Sequence, residues 1–537
     1  FQIALLLGFC VVLYFINLGQ WDLWNPDEPR YGQVAKEMVT RGDWILMHYN
    51  GKVYSDKPPL FFWFIALSSY LWNGFTSFAI RFPAAFFGTL TVLLTFLLGR
   101  ILFHSPMGFI SGLILATSVQ FAYLSTRANI DTTLTFFITA SLLCFFLWYG
   151  RDRQKENERG DFRNYSIYGF YVAMAFATLA KGPVGFLLPL LVCLIYLVIQ
   201  KDWRGIRKMR LLPGMLLFIG IVLCWYLPAV WKGGRDYLNE TLLLHSVSRY
   251  SQGWAKSQPI YYYLSDYPIN FLPWILFLPS AFVYGYSRKK VEKGREFLFL
   301  AVWFAVIFIF FSLSKGKRTL YLLPLFPAAS LLVGKLLHDF IFPPNDHFRK
   351  AWVFLPMHVL MGAMLVAGAI LPWIVSIKFP SYMSGSLPLA FLLVGGSLVL
   401  FALYRFKNFG ALFLLLIGIL AAGYFYSTRA IFPLINHYKS ARFISQEVTS
   451  RIQPGEKLAV YGRVSTAPYN FFTGIVPILD LVGQENLFQF LSASGRVFCF
   501  ITFDEWTRLQ KMEGRPPMHL IARHPVGGSD IVLISNR

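Results

Sequence analysis

The residues best suited to chemistry stand in a few short clusters. Residues 24–31 read Trp-Asn-Pro-Asp-Glu-Pro-Arg-Tyr, with Asp27 and Glu28 adjacent. Neighbouring carboxylates can take a proton from an acceptor or hold sugar hydroxyls, and a base works best with its pKa near the operating pH. Partial burial raises a carboxyl group toward that range. Asp27 also stands ahead of a helical pattern running through Met38, so N-capping is its competing structural role. Residues 54–63 bring Asp56 and Lys57 to the lip of an aromatic run. Lys57 is a point charge suited to a phosphate at the membrane interface, or else a lysine snorkelling to the headgroups. Residues 314–321 read Ser-Lys-Gly-Lys-Arg-Thr-Leu-Tyr, which puts Lys315, Lys317 and Arg318 in one turn just before Tyr321. Cations so close together require an anionic partner. Arg249, shortly after His245, could supply a bidentate phosphate contact. Arg127, Asp131 and Lys181 complete the set.

These clusters must be carried by an unusual body. The chain has 537 residues, 56% apolar and 14% charged, whereas an average soluble domain carries roughly 25% charged residues. Runs such as 351–377 and 410–427 are almost free of charge. About thirteen such segments of roughly 20 residues fit along the chain. A soluble enzyme, a disordered chain, a fibre and a disulfide scaffold are excluded; the fold class is an α-helical polytopic membrane protein.

The net charge of +22 does not mark a nucleic-acid partner. Arg151, Arg153, Lys155, Arg159 and Arg163 fill one short loop, residues 201–210 a second, and residues 288–295 a third. Basic residues in short loops mark the cytoplasmic side, with some attraction to anionic lipid. With a cytoplasmic N-terminus, the expected spans are 1–19, 82–103, 107–124, 132–149, 165–180, 183–200, 211–231, 269–286, 297–313, 320–337, 351–375, 387–404 and 409–427. All three basic loops then share one side, and the reactive clusters share the other. Residues 1–18 are expected to be a retained span rather than a cleaved signal, with the first residues missing. Cys10, Cys144, Cys193, Cys224 and Cys499 form no exposed pair that suggests a disulfide or a zinc cluster.

Beyond residue 427 the character changes. Residues 457–461, 497–503 and 530–535 are β-type runs separated by turn residues, and 487–492 is helical in pattern. The expected organisation is a transmembrane catalytic domain over 1–427, with outer loops at 20–80 and 232–268 carrying juxtamembrane helices. A small extracytoplasmic α/β domain over 428–537 follows. Tyr461, Tyr469, Phe471, Phe472 and Arg463 have a composition compatible with stacking on a sugar, but core packing is the expected use of those aromatics.

Ionisable groups at membrane depth are expensive, so a set gathered at one mouth points to a site. Carboxylates facing cations with an aromatic rim suit a ligand with a phosphate head, a polar moiety and a lipid tail, such as a lipid-linked sugar. A transporter would place ionisable residues near the midplane and use discontinuous helices; the sequence shows neither. A scaffold whose outer domain binds a partner leaves the clusters without a role.

Residues 24–44 (WNPDEPRYGQVAKEMVTRGDW), 54–63, 127–131, 180–182 and 314–324 resemble the lipid-phosphate-sugar glycosyltransferases of the GT-C class, specifically the ArnT / dolichyl-phosphate-mannose–protein mannosyltransferase-like family. The resemblance covers essentially the whole chain. It implies transfer of a sugar from polyprenyl (undecaprenyl) phosphate to an outer-leaflet acceptor, lipid A or a related glycolipid, in a bacterial inner membrane. The alternatives are a protein acceptor in the same family, or a lipid or sugar transporter. Asp27 matches the family's catalytic aspartate, with Glu28 beside it. Lys57 matches the lysine on the donor phosphate, and Arg249 and Tyr321 resemble its partners. Asp131 matches a second acid near the sugar. Asp56 stands where ArnT-like members carry a glutamate, which can bind a metal. No cofactor is assigned, a divalent metal ion being the one candidate, and its ligands are unknown. The implied partners are the polyprenyl-phosphate sugar, a lipid or glycolipid acceptor and the membrane, with no nucleic acid.

Overall fold

Apolar segments in a bilayer have no water to satisfy their backbone, so they close their hydrogen bonds within helices. The computed structural model, which describes residues 1–150, 160–241, 258–288, 294–343 and 351–537, is accordingly mostly helical. Among the described residues, eight helices are long and apolar enough to cross a membrane, or ten if each of two bent pairs is one span. The protein is a multi-pass membrane protein. The other three of the roughly thirteen segments expected from hydropathy coincide with Gln2–Phe15 and Val184–Ile199, which are shorter, and with the more polar helix Gly160–Lys181. Length and composition alone therefore do not reach the expected span count.

One feature was not foreseen. Ser105–Ala116 and Val119–Ser125 meet at 72°, and Tyr262–Asn270 and Trp274–Ser287 at 114°, so discontinuous helices are present. The outer loop 20–80, expected to carry juxtamembrane helices, contains the apolar helix Leu60–Leu71, which is shorter than a span.

The chain divides into two compact units. The first comprises residues 1–17, 55–61 and 82–427, and the second 18–54, 62–81 and 428–537. In the first unit, helices Ile130–Tyr149 and Gly160–Lys181 form an antiparallel hairpin, which Gly182 (φ 82°) turns into Val184–Ile199. Helix Arg295–Leu313 leads through a 3-10 turn, Thr319–Leu325, into Phe326–Ile341. Helices Ser77–Leu102 and Ser105–Ala116 cross closely through two glycines. A Cβ on Gly108 would fall 2.4 Å from the Phe96 carbonyl oxygen, and one on Gly99 2.7 Å from the Gly108 Cα. Backbone cannot yield as a side-chain tip does, and overpacking of this kind costs about 1–3 kcal/mol. Gly108→Ala is therefore expected to lower the melting temperature of the detergent-solubilised protein, while a Gly220→Ala control, where a Cβ meets nothing within 4 Å, is expected to leave it unchanged.

The second unit holds a sheet of strands β3 (Lys457–Tyr461), β4 (Leu479–Leu481), β5 (Val497–Thr502), β6 (His519–Val526) and β7 (Ser529–Ser535), in the order β4-β3-β5-β7-β6. Strand β3 runs parallel to both β4 and β5, while β7 is antiparallel to β5 and β6. Each face of the sheet carries an apolar core, one around Val460, Phe498 and Leu533, the other around Ala459, Ile501 and Val532. Tyr469 stacks on Phe500 with ring centroids 4.0 Å apart and Tyr461 is buried, so both tyrosines serve the core. A two-residue hairpin, β1 (His48–Tyr49) and β2 (Lys52–Val53), turns at Asn50-Gly51, both at positive φ, as an Asn-Gly turn favours. Glu37 accepts from the backbone N–H groups of Asn50 (2.7 Å) and Gly51 (3.0 Å), and the Asn50 side chain bonds both backbone groups of Ile478.

Candidate active site

In the first unit, the segment around Asn129 sets the geometry. Asn129 lies in extended backbone (φ −148°) and its Oδ1 accepts from the N–H of Thr132 at 3.1 Å, capping helix Ile130–Tyr149. Its Nδ2 donates to the carbonyls of Leu124 (2.5 Å) and Arg127 (2.7 Å). Asp131 is thereby fixed in the first helical turn and Lys181 sits in the last turn of helix Gly160–Lys181. Each charge complements the helix end it occupies. The Lys181 ammonium donates to the Asp131 carboxylate and lies 4.3 Å from the centroid of the Tyr321 ring, which packs on Phe311 at 5.4 Å. Asp131 is 4% exposed. Asp131, Lys181 and Tyr321, drawn from three distant stretches, thus form one assembly. It lies at the helix ends opposite those that the basic loop 151–159 joins.

Tyr321 is held by the turn that precedes it. Its N–H donates to the Arg318 carbonyl at 3.1 Å, and the Tyr263 hydroxyl donates to that same oxygen at 3.0 Å. Lys317, expected from the sequence to bind phosphate, is tied into its own turn. It is 6% exposed, and its ammonium donates to the carbonyls of Gln258 (3.1 Å) and Ser314, so it staples the turn; burial also pushes its pKa down. Lys315 on the same turn is exposed. Lys57 lies half-buried in a bend, two residues after Ser55, whose hydroxyl donates to Glu240 at 2.6 Å. Arg249 and His245 lie outside the described residues.

Asp27 and Glu28 belong to the second unit. Pro29 helps start helix Glu28–Arg41, and Asp27 occupies the N-cap position without a capping hydrogen bond. Its Oδ1 instead accepts from Arg30 Nη2 at 2.7 Å, with the side chain 14% exposed. Glu28 is 1% exposed. It receives Arg81 Nε at 2.7 Å and Nη2 at 3.0 Å, together with the N–H of Trp24 at 2.9 Å. Glu28, which the sequence offered as a second catalytic carboxylate, is thereby held in a buried ion pair with Arg81. Sequence reasoning assigned no role to Arg81, although a lone arginine within the apolar stretch 77–99 is itself a signal of a buried partner. It named Lys181 without its partners, because nothing local links it to Asp131. Among the described residues no three His, Cys, Asp or Glu side chains gather as metal ligands.

Residues 2–244 match the dolichyl-phosphate-mannose-protein mannosyltransferase family. A relative from Pseudomonas fluorescens, an undecaprenyl phosphate-alpha-4-amino-4-deoxy-L-arabinose arabinosyl transferase, is 32% identical over 63% of this chain and 60% of its own length. The enzyme of the same name from Enterobacter is 29% identical over 72% of this chain and 67% of its own length. The chain thus spans about three fifths of the first relative. The crystal structure of ArnT from Cupriavidus metallidurans bound to undecaprenyl phosphate superposes with a TM-score of 0.82 at 20% identity, covering 100% of this chain and 98% of that one. The chain thus shares the fold of that ArnT structure along its whole length, and its residues 2–244 are similar to the protein-mannosyltransferase family.

Proposed function

We propose that the protein is a membrane glycosyltransferase that moves a sugar from polyprenyl (undecaprenyl) phosphate to lipid A or a related glycolipid of the outer leaflet. The observation that carries this reading is the Asp131–Lys181–Tyr321 assembly, a buried acid, cation and phenol at the membrane end away from the basic loops. Basic loops mark the cytoplasmic face, so the assembly faces outward, in the inner membrane of a bacterium. The relatives' names supply the donor and the sugar class. We read residues 1–427 as the membrane-embedded catalytic part and 428–537 as its extracytoplasmic α/β domain.

In the proposed reaction an acceptor oxygen forms a bond to the anomeric carbon while the bond from that carbon to the lipid phosphate breaks. The electron pair leaves with the phosphate. Lys57, Arg249 and Tyr321 stabilise the developing charge, the preorganised electrostatic contribution that is usually the largest in such steps; Lys315 is placed to attract the anionic head. Asp131 and Lys181 orient the sugar. Asp27 takes the proton of a hydroxyl acceptor, or orients an acceptor that is already an anionic phosphate. The protein-mannosyltransferase match favours a protein hydroxyl as the second acceptor reading.

The test is incubation of purified protein with polyprenyl-phosphate-linked sugar and either lipid A or candidate proteins, followed by mass spectrometry. The expected result is one added sugar on the acceptor and one free polyprenyl phosphate. Movement of intact donor across a vesicle membrane without any modified acceptor would establish a transporter instead. Within this reading, Lys181→Met is expected to raise the donor KM and to destabilise the fold by about 3–5 kcal/mol, since it leaves a buried carboxylate without its cation. Adding Asp131→Asn to Lys181→Met should recover the melting temperature but not the turnover.

A further inference from the structure

The proposed reaction gives residues 428–537 no part, yet they are tied at several points to the helix that begins beside Asp27. Helix Glu28–Arg41 packs against helix Ala467–Thr473 of that region. A Cβ on Gly32 would fall 3.0 Å from the Phe471 ring, and the Lys36 ammonium lies 5.9 Å from the centre of that ring. Farther along the helix, Glu37 holds the Asn50-Gly51 turn. The Asn50 Oδ1 that accepts from the N–H of Ile478 also accepts from Asn470 Nδ2 at 2.9 Å. The α/β region thus grips this helix along its length.

The hairpin that carries Asn50 also carries Tyr49, and through it the contact extends toward the acid. The Tyr49 and Thr466 hydroxyls share a hydrogen bond at 2.6 Å. Thr466 is buried at the N-cap of helix Ala467–Thr473, where a threonine side chain ordinarily accepts from the helix. No such cap forms; the hydroxyl is given to Tyr49 instead. Burial pushes the Tyr49 phenol pKa up, so the hydroxyl keeps its proton. The charge of Arg30 acts on the same phenol, and a guanidinium, having only donors, favours an oxygen lone pair facing it. Tyr49 therefore donates to Thr466 and leaves its lone pairs for Arg30. Tyr31 and Tyr54 act on the same guanidinium; Tyr49 brings in the α/β region. Arg30 in turn donates to Asp27 Oδ1 at 2.7 Å.

We propose that residues 428–537 act as a clamp on the acid of the proposed reaction: Thr466 orients the Tyr49 hydroxyl, Tyr49 steadies Arg30, and Arg30 presents Asp27 to the acceptor. Tyr49 and Thr466 are positioning residues, since they act through Arg30 and not on the substrate. Resting on the glycosyltransferase reading, the clamp gives the α/β region a part in turnover rather than in donor binding. Such a part is worth having because a misplacement of about 1 Å at a reacting group can cost 10²-fold in rate.

The test is a set of double-mutant cycles in the full-length protein. Tyr49→Phe and Thr466→Val each remove one hydroxyl, and each should lower kcat for a hydroxyl acceptor about tenfold, the scale of one hydrogen bond read as a rate, with donor KM unchanged. The two together should cost no more than either alone, and neither should add to the loss in Arg30→Met, because members of one network do not act independently. Normal kcat in either single variant, or a full further tenfold loss on top of Arg30→Met, would overturn the proposal. So would a lowered melting temperature with normal turnover per folded molecule, the mark of a purely structural bond. The link is also read without turnover: the melting shifts of Thr466→Val and Arg30→Met should not add, and additive shifts would overturn it. A protein that transfers no sugar yet keeps this coupling would refute the glycosyltransferase reading while supporting the tie between the α/β region and Arg30.

Discussion

Replacing Asp27 with asparagine lowers kcat for a hydroxyl acceptor by about 10²–10⁴-fold, the usual contribution of a positioned general base. The substitution is close to isosteric, and the amide oxygen can still accept the Arg30 hydrogen bond that Asp27 Oδ1 accepts at 2.7 Å. Helix Glu28–Arg41 draws no capping bond from the Asp27 side chain, so removing the charge withdraws no cap. Melting temperature and donor KM should therefore stay near those of the unmodified protein while turnover collapses. What the amide cannot do is take up the acceptor proton. The acceptor then becomes diagnostic: a phosphate arrives already ionised, so for lipid A phosphate the loss should be smaller and should appear as weaker orientation. Turnover of a hydroxyl acceptor at close to the normal rate in Asp27→Asn would remove the base assignment. Arg30→Met gives a companion measurement. It keeps the carboxylate but frees it from its partner, so it should reduce turnover by less than Asp27→Asn.

Hydropathy located the helices because a bilayer leaves the chain few alternatives, yet it could not show where a helix breaks. The bend between Ala116 and Val119 falls at Thr117-Ser118, whose hydroxyls donate back to the Leu113 and Ile114 carbonyls, a local signal that hydropathy averaged over the run passes over. In the sheet, the strands read correctly were β3, β5 and β7, and those missed were β4 and β6. The difference is their place in the order β4-β3-β5-β7-β6. Inner strands are covered on both faces and read as unbroken apolar runs; the edge strands are short or polar, β4 having three residues and β6 containing Arg523, His524 and Pro525. The Asn50-Gly51 turn was legible in principle as a hairpin signal, but its two-residue strands carry no periodicity.

The site was legible as a set of residue types and illegible as a set of pairs. Asp131 and Lys181 each look reactive alone; that they neutralise one another depends on the antiparallel return of the helix hairpin. Glu28 beside Asp27 looked like half of a carboxylate dyad, because adjacency is all that a sequence displays at that point. Along a helix start, neighbouring side chains point in different directions, and these two go to separate partners, Arg30 and Arg81.

That separation makes Arg81 the residue whose loss should damage the fold most. It is 0% exposed. Its guanidinium donates to both Glu28 oxygens and to the carbonyls of Leu18 (3.1 Å), Trp21 (2.8 Å) and Asp22 (2.6 Å), and it lies 4.5 Å from the Trp21 ring centre. Five hydrogen bonds on a rigid planar fork cannot be matched by an ammonium on a flexible stem. Arg81→Ala strands a buried carboxylate and three carbonyls at once, and is expected to cost about 3–5 kcal/mol or more, read as lost yield of folded protein and a lowered melting temperature. Arg81→Lys should rescue little of it. Glu28→Gln separates structure from chemistry: the amide keeps an acceptor for the guanidinium but loses the charge, so stability should fall while turnover per folded molecule stays within a few-fold of normal. A catalytic Glu28 predicts the reverse, a stable protein with turnover lowered by the 10²-fold or more expected for a general base. Measuring melting and single-turnover rates on the same preparation distinguishes the two, and a stable but inactive Glu28→Gln would return Glu28 to the reaction itself.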